Sequence, residues 1–385
     1  MNWVTIWQEV RIVNKRMLYY TVMSVFLGLV VGAIILLIVG VNPLEAYKVM
    51  ILGAFGKPKY ISWTIVEAVP IILTGIAVAF AFQTGIFNIG AEGQFIVGSL
   101  GAVIVGVAVD MPPVIHAIVA LLAGIVCGGV WGALVGVFKA KRGVNEVISS
   151  IMLNWIAFYF SNYMLTKSFL RKPDSNYSFN IQPSASIRFL GEWKRSEAGR
   201  AILKENDFLR GILNPPVHWG ILIAIVVAIL VWFILKKTTL GYELKAVGFN
   251  RFAAEYGGID IKKNTVISMA ISGAMAGLAG AVQVLGVAGN IGLLATQQGY
   301  GFNGIAVSLI AANHPIACIP SGILFAALTY GGGKLNSALH TPSEIINIVI
   351  GIIVLFIAMP QFMELIRKKF SFNKSKRVKG GEEVE

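Results

Sequence analysis

KKTTLGYELKAVGFNRFAAEYGGIDIKK, residues Lys236 to Lys263, is a basic insert punctuated by glycine and flanked by apolar runs that are each long enough to cross a bilayer. The insert belongs in water and its flanks belong in lipid. Asn250 is placed to cap a short helix from Arg251 to Tyr256, and Gly257-Gly258 stops it after one or two turns. A helix that short is marginal alone in water. Phe252, Ala253 and Tyr256 fall at helical spacing and give it an apolar face, while Arg251, Glu255 and the flanking lysines stay solvated. Such an element needs support from outside the chain, and a cytosolic protein is the expected source.

Composition agrees with the membrane reading. Of 385 residues, 56% are hydrophobic and only 13% charged, and the mean hydropathy is +0.74. That leaves too little polar surface for a soluble globule of this size. The 42 glycines suit packed transmembrane helices, where small residues let backbones approach. A closed barrel would show short strands of alternating polarity, whereas these apolar runs are long and continuous. The net charge of +13 comes from lysines and arginines at the ends of apolar runs, which points to positive-inside topology and an anionic lipid surface and away from nucleic acid. Cys127 and Cys318 lie inside apolar runs and read as small core residues.

The expected fold is all-α, a polytopic bundle of about ten spans forming a single transmembrane domain over 1–385. The spans are placed at about Leu18 to Val41, Ile61 to Phe82, Phe87 to Val109, Val114 to Phe138, Val144 to Thr166, Val217 to Leu235, Asn264 to Ala288, Tyr300 to Ala312, Ile316 to Gly332 and Glu344 to Met359. The N-terminus reads as an uncleaved first span. Arg11, Lys15 and Arg16, then Lys139, Lys141 and Arg142, then Lys236 and Lys237 all fall on one side. The basic tail over 361–385 joins them, so both termini are expected in the cytoplasm. Lys48, Lys57 and Lys59 run against that pattern. The long polar stretch 167–216, with turn signals such as KPDSN and NPP, is expected outside, as a lid, a partner platform or a tolerated insertion.

QTGIFNIGAEGQ places Gln83, Phe87, Asn88, Glu92 and Gln94 between two apolar runs with no lysine or arginine nearby. Ionisable residues at membrane depth are expensive unless they pair or face a polar cavity. Gly85, Gly90 and Gly93 permit a helix break near 83–94, and freed backbone groups are tolerated only against protein or water. Two readings stand: a broken helix facing a central pathway, or a short cytoplasmic turn with Glu92 at the start of the next helix. A second cluster, Gln297, Gln298, Tyr300, Phe302 and Asn303, interleaves amides with aromatics. It suits a planar polar ligand, or amides tying helices together. Asn145, Glu146, Ser149, Ser150 and Asn154 begin the fifth span in VNEVISSIMLNW, where Asn145, Ser149 and Met152 fall near one helix face, either a pathway lining or a cytoplasmic-end packing seam. GIFNIGAEGQFIVGSLGAVI from Gly85 and NIGLLATQQGYGFNGIAVSLIA from Asn290 echo one another, as repeats in transporters do. The four histidines are too scattered for a metal. GGGK at Gly331–Lys334 lacks the Ser or Thr of a phosphate loop, and neither GxSxG nor HExxH occurs, so no hydrolytic site of the chain's own is expected.

GIFNIGAEGQFIVG, RGVNEVISSIMLNWIA from Arg142 and LKAVGFNRFAAEYGGI from Leu244 together resemble the permease subunits of bacterial ABC importers, in the branch that carries branched-chain amino acids, ribose-like sugars and nucleosides. RGVNEVISSIMLNW with the long loop after it is most similar to nucleoside permeases served by a lipoprotein of the basic membrane protein family. The resemblance implies a cytoplasmic coupling loop over 236–263. Its helix, Arg251, Phe252, Ala253, Glu255 and Tyr256 shaped by Gly248, Asn250 and Gly258, would seat in a groove of an ATPase subunit. It also implies a second permease, commonly in a heterodimer, an extracytoplasmic substrate-binding lipoprotein, and residence in the bacterial plasma membrane. The chain itself would bind no cofactor, ATP-Mg being used by the ATPase. A sugar permease is the alternative within the family. An ion-coupled secondary transporter with Glu92 as proton carrier is the alternative outside it.

Overall fold

The computed structural model describes residues 15–191 and 193–358, and the basic tail over 361–385 and Arg11 lie outside them. The described residues are helical and contain no strand, only three isolated bridges. The helices are α1 (Lys15–Ile38), α2 (Pro43–Phe55), α3 (Pro58–Gln83), α4 (Ala91–Ala108), α5 (Ile115–Arg142), α6 (Glu146–Met164), α7 (Glu197–Glu205), α8 (Asp207–Leu213), α9 (Gly220–Lys237), α10 (Thr239–Phe249), α11 (Arg251–Tyr256), α12 (Ile261–Gln283), α13 (Tyr300–Ile310), α14 (Cys318–Leu339) and α15 (Ser343–Ala358).

Every stretch expected to span carries a helix, but fewer meet the length and apolarity a crossing needs. Five do, at Pro58–Gln83, Ala91–Ala108, Ile115–Arg142, Gly220–Lys237 and Ile261–Ala288. A sixth is possible if Met23–Ile38 and Pro43–Phe55, bent by 117° at their junction, count as one. α13 and α15 are apolar but shorter, and α6 interrupts its apolar face with buried Ser149, Ser150, Asn154 and Ser161. α2 arises in a stretch the span pattern leaves empty: Gly40 turns the chain at φ +82°, and Asn42 Oδ1 accepts the Leu44 amide at 3.1 Å to start the new helix.

The chain divides into two compact units. In the larger, Met50–Gly331, α3, α4, α5 and α12 form the core. Its helices approach backbone to backbone: a Cβ on Gly128 would meet the Gly273 carbonyl oxygen at 2.5 Å, and one on Gly277 would meet the Gly124 carbonyl oxygen at 2.3 Å. Dispersion between close backbones replaces the hydrophobic drive that lipid does not supply. In the smaller unit, drawn from Met1–Val49 and Gly332–Glu385, described α1 and α15 pack together. There a Cβ on Gly28 would lie 3.1 Å from the Ile353 Cα.

The polar stretch 167–216 is folded. α7 is capped by Ser196, whose hydroxyl accepts the Gly199 amide at 3.1 Å, and α8 by Asn206. Ser178 and Ile181 donate their amides to Ile291 and Gly289, both at 2.8 Å, and Phe189 donates to Val217 at 2.8 Å. The stretch is therefore laced to the chain that follows α12. Beneath it Leu100, Val103, Leu165, Leu170, Val284 and Ile291 make a buried apolar cluster.

Candidate functional site

α3 ends at Gln83, and α4 begins at Ala91 after a turn in which Gly85 adopts φ +70°. The segment 83–94 is a turn joining two helices that each meet the length and apolarity of a crossing, with Glu92 in the first turn of α4, and not a break inside a single span. Its polar residues mostly turn inward. Asn88 Nδ2 donates to Gln94 Oε1 at 2.8 Å and to Ser272 Oγ at 2.7 Å, while Gln94 Nε2 returns a bond to Asn88 Oδ1 at 3.2 Å. Ser272 Oγ donates in turn to the Ala77 carbonyl at 2.6 Å. Asn154 accepts the Gly93 amide at 2.8 Å and donates to the Ile89 carbonyl at 3.1 Å, holding α6 to the turn.

Glu92 joins the two clusters that the sequence set apart. It has 0% of its surface exposed, and its carboxylate oxygens accept the amides of Gly299 and Gly301, each at 2.7 Å. Those amides open α13, so the carboxylate meets the positive end of a helix that begins inside the protein. Only glycine fits opposite, since a Cβ on Gly301 would come within 2.2 Å of the Glu92 nitrogen.

Gln83, Phe87, Gln297, Tyr300, Phe302 and Asn303 keep part of their surface free. Phe87 tilts against Phe82 with centroids 4.9 Å apart. Gln83 Nε2 donates to the Asn313 carbonyl at 3.1 Å beside a cleft of about 340 Å³ lined by Phe82, Gly248, Phe249 and Asn313. Tyr300 stacks on Phe95 at 4.9 Å, its carbonyl accepts the Thr74 hydroxyl at 2.9 Å, and its own hydroxyl accepts Gln283 Nε2 at 3.1 Å. That hydroxyl also sits against the Glu67 carboxylate. Glu67, Gln283, Thr74 and Ser272 are absent from the sequence-derived set. For Glu67 the signal was available, since it is a carboxylate inside the apolar run Ile61 to Phe82.

α11 has the bounds its caps predict. Asn250 Oδ1 accepts the amides of Phe252 and Ala253 at 3.1 Å, and Gly258 takes φ +82° just beyond. Phe252 is 84% exposed and Tyr256 97%, with Arg251, Ala253 and Glu255 also in the open. Ala254 is the buried residue of this helix. The insert also contains α10, which the sequence did not announce; the Thr238 hydroxyl caps it by accepting the Gly241 amide at 3.1 Å. α10 connects α11 to the site: a Cβ on Gly85 would lie 2.7 Å from the Gly248 Cα, so the turn between α3 and α4 rests directly on the α10 backbone.

Helical spans, an internal helix start closed by a buried carboxylate and an exposed capped helix define a membrane transport component. The family model described as branched-chain amino acid transport system / permease component matches residues 60–358, and the chain belongs to that family. It is 40% identical to a guanosine ABC transporter permease of Bacillus subtilis, over 90% of this chain and 94% of the relative. It is 33% identical to a nucleoside ABC transporter permease of Lactococcus lactis, over 92% and 95%, and 29% identical to a glucose ABC transporter permease of Haloferax volcanii, over 92% and 90%. In both bacteria a second permease of matching description is also related, at 26% identity.

Proposed function

We propose that this chain is the permease subunit of an ATP-driven nucleoside importer in the bacterial plasma membrane. What carries the reading is the match along nearly the whole chain to a guanosine permease. The exposed α11 supplies the physical complement, because its apolar side chains and satisfied cap are those of an element made to dock. An ATPase subunit binds there and uses ATP-Mg, this chain holding no nucleotide. An extracytoplasmic lipoprotein delivers the nucleoside, and a second, related permease completes the pathway, as the paired relatives suggest. About ten crossings with both termini cytoplasmic remain the proposed topology, the shorter α13 and α15 and the polar-faced α6 counting among them.

Within this reading, Gln83, Phe87, Tyr300, Phe302, Asn303 and Gln297 face the pathway. Asn88, Glu92, Gln94 and Asn154 brace the helices that line it. The contact of Gly85 with Gly248 gives movement of the coupling loop a direct route to the α3–α4 turn. A strain lacking this chain should lose uptake of radiolabelled guanosine and regain it on complementation. Undiminished uptake where no second system operates would overturn the proposal. The glucose permease among the relatives keeps a sugar substrate as the second reading, and a ligand screen of the partner lipoprotein separates the two. A proton-coupled carrier would need Glu92 to exchange protons with a pathway, and both of its oxygens are engaged by backbone amides.

A further inference from the structure

The first half of α3 bears a polar and aromatic cluster to which the sequence assigned no role. Glu67 lies on α3, a helix long and apolar enough to cross a bilayer, and makes no ion pair among the described residues. A carboxylate there is costly unless hydrogen-bond donors meet it. The Tyr300 hydroxyl stands beside it, and Gln283 donates to that hydroxyl's oxygen at 3.1 Å, which leaves the phenolic proton to turn toward Glu67. Phe95 beneath the ring and Thr74 on the backbone hold Tyr300 in place. An ionised carboxylate offers about four acceptor positions, more than one phenol can fill.

Aromatic surface stands one helical turn away. Trp63 and Glu67 are four residues apart, on one face of α3 with Cβ atoms roughly 5–6 Å apart. The Trp63 ring lies nearly parallel to Tyr330, with centroids 6.4 Å apart and planes at 15°, and Tyr60 tilts onto Tyr330 at 6.3 Å. All of these side chains are partly open. Tyr330 is close enough to feel the Glu67 charge. A flat, electron-rich face beside an underused acceptor suits a ligand whose planar ring is joined to a group with two adjacent hydroxyls.

We propose that Trp63, Tyr330 and Glu67 form a nucleoside subsite, the aromatic rings stacking on the base and the carboxylate accepting the ribose 2′- and 3′-hydroxyls. Tyr300 and Gln283 are positioning residues that aim the carboxylate. The inference rests on the nucleoside-importer reading and adds a site within this chain to it. Stacking tolerates any base, whereas the carboxylate discriminates by the donors it is offered.

The test uses the complete transporter, with its ATPase, second permease and lipoprotein, in vesicles supplied with guanosine or 2′-deoxyguanosine. Glu67→Gln should lower guanosine uptake about tenfold or more, the expected effect of losing hydrogen bonds to a charged group. It should lower 2′-deoxyguanosine uptake much less. Trp63→Ala should depress both nucleosides, and Trp63→Phe should restore them. In the unaltered transporter, photoactivated 8-azidoguanosine should label the α3 segment around Trp63. Normal uptake by Glu67→Gln and Trp63→Ala, an equal fall for both nucleosides in Glu67→Gln, or no label in α3 would overturn the subsite while leaving the importer reading intact. Failure of the unaltered transporter to import any nucleoside would instead remove the reading on which it rests.

Discussion

Glu92 closes the N-terminus of α13 by accepting the Gly301 amide at 2.7 Å, a bond between residues 209 positions apart in the chain. The second oxygen takes the Gly299 amide at the same distance. α13 starts against Glu92 with its Gly301 amide buried, and the carboxylate provides both acceptance and charge. Break and restart are therefore one device: the turn after α3 releases α4 at the point where its first residues reach the start of α13.

Removing that carboxylate should cost stability before it costs chemistry. Glu92→Ala leaves one buried and one part-buried amide without acceptors and should destabilise the chain by about 2–4 kcal/mol. Glu92→Gln keeps one acceptor and should lose about half as much. Thermal unfolding of the purified permease in detergent measures both. A Glu92→Gln chain of unchanged stability that assembled normally yet transported nothing would return Glu92 to the role of proton carrier.

The glycine seam between α5 and α12 makes a sharper prediction, because neighbouring glycines face different surroundings. A Cβ on Gly128 would meet the Gly273 carbonyl oxygen at 2.5 Å, whereas one on Gly129 finds nothing closer than 3.4 Å. Gly128→Ala should destabilise by about 1–3 kcal/mol through forced separation of the helices. Gly129→Ala should be neutral or slightly stabilising. Equal effects of the two, read from folded yield and melting temperature, would contradict the packing described for this seam.

These examples show where the chain was legible. Local chemistry was: Asn250, the short apolar pattern and Gly258 delimit α11 because caps and stops act within a few residues. The position of Glu92 in a first turn was one of two readings the segment allowed, and its partners were beyond either, since nothing in a linear string says which helix start will arrive beside it. The glycine content announced close packing without matching Gly128 to Gly273. α2 escaped because Gly40 and Pro43 mark a turn and a helix start alike. Glu67 escaped because one carboxylate in a long apolar run barely lowers its average hydropathy. Asn88, Gln94 and Asn154 carried the right polarity for a pathway, and their burial, against Ser272 for Asn88 and against the 89–93 backbone for Asn154, came from the tertiary fold.

α11 should separate binding from folding. Phe252 is 84% exposed, so Phe252→Ala should leave the melting temperature of the isolated chain within about 1 °C while abolishing co-purification of the ATPase. Glu255→Arg should act likewise. Asn250→Ala removes the cap at a cost of about 1 kcal/mol to the helix and should weaken ATPase association several-fold without eliminating it. Retention of the ATPase by Phe252→Ala at normal yield would mean that α11 docks through other residues.

His218 should give the folded chain an acid limit. The ring precedes α9 and is 3% exposed. Its Nδ1 accepts the Gly220 amide at 3.0 Å, and its Nε2 has no hydrogen-bond partner among the described residues. Burial, aided by the charge of Arg188, pushes its pKa down to about 4, against about 6.5 in the unfolded chain. Between those values the unfolded chain binds the proton and the folded chain does not. The stability from a neutral His218 is therefore fully present above about pH 6.5 and declines as pH falls toward 4, by up to about 3 kcal/mol. His218→Asn keeps an acceptor for the Gly220 amide and cannot titrate. Its melting temperature at pH 7.5, 6 and 5 should fall less steeply than that of the native chain. Parallel curves would show that the acid sensitivity originates elsewhere.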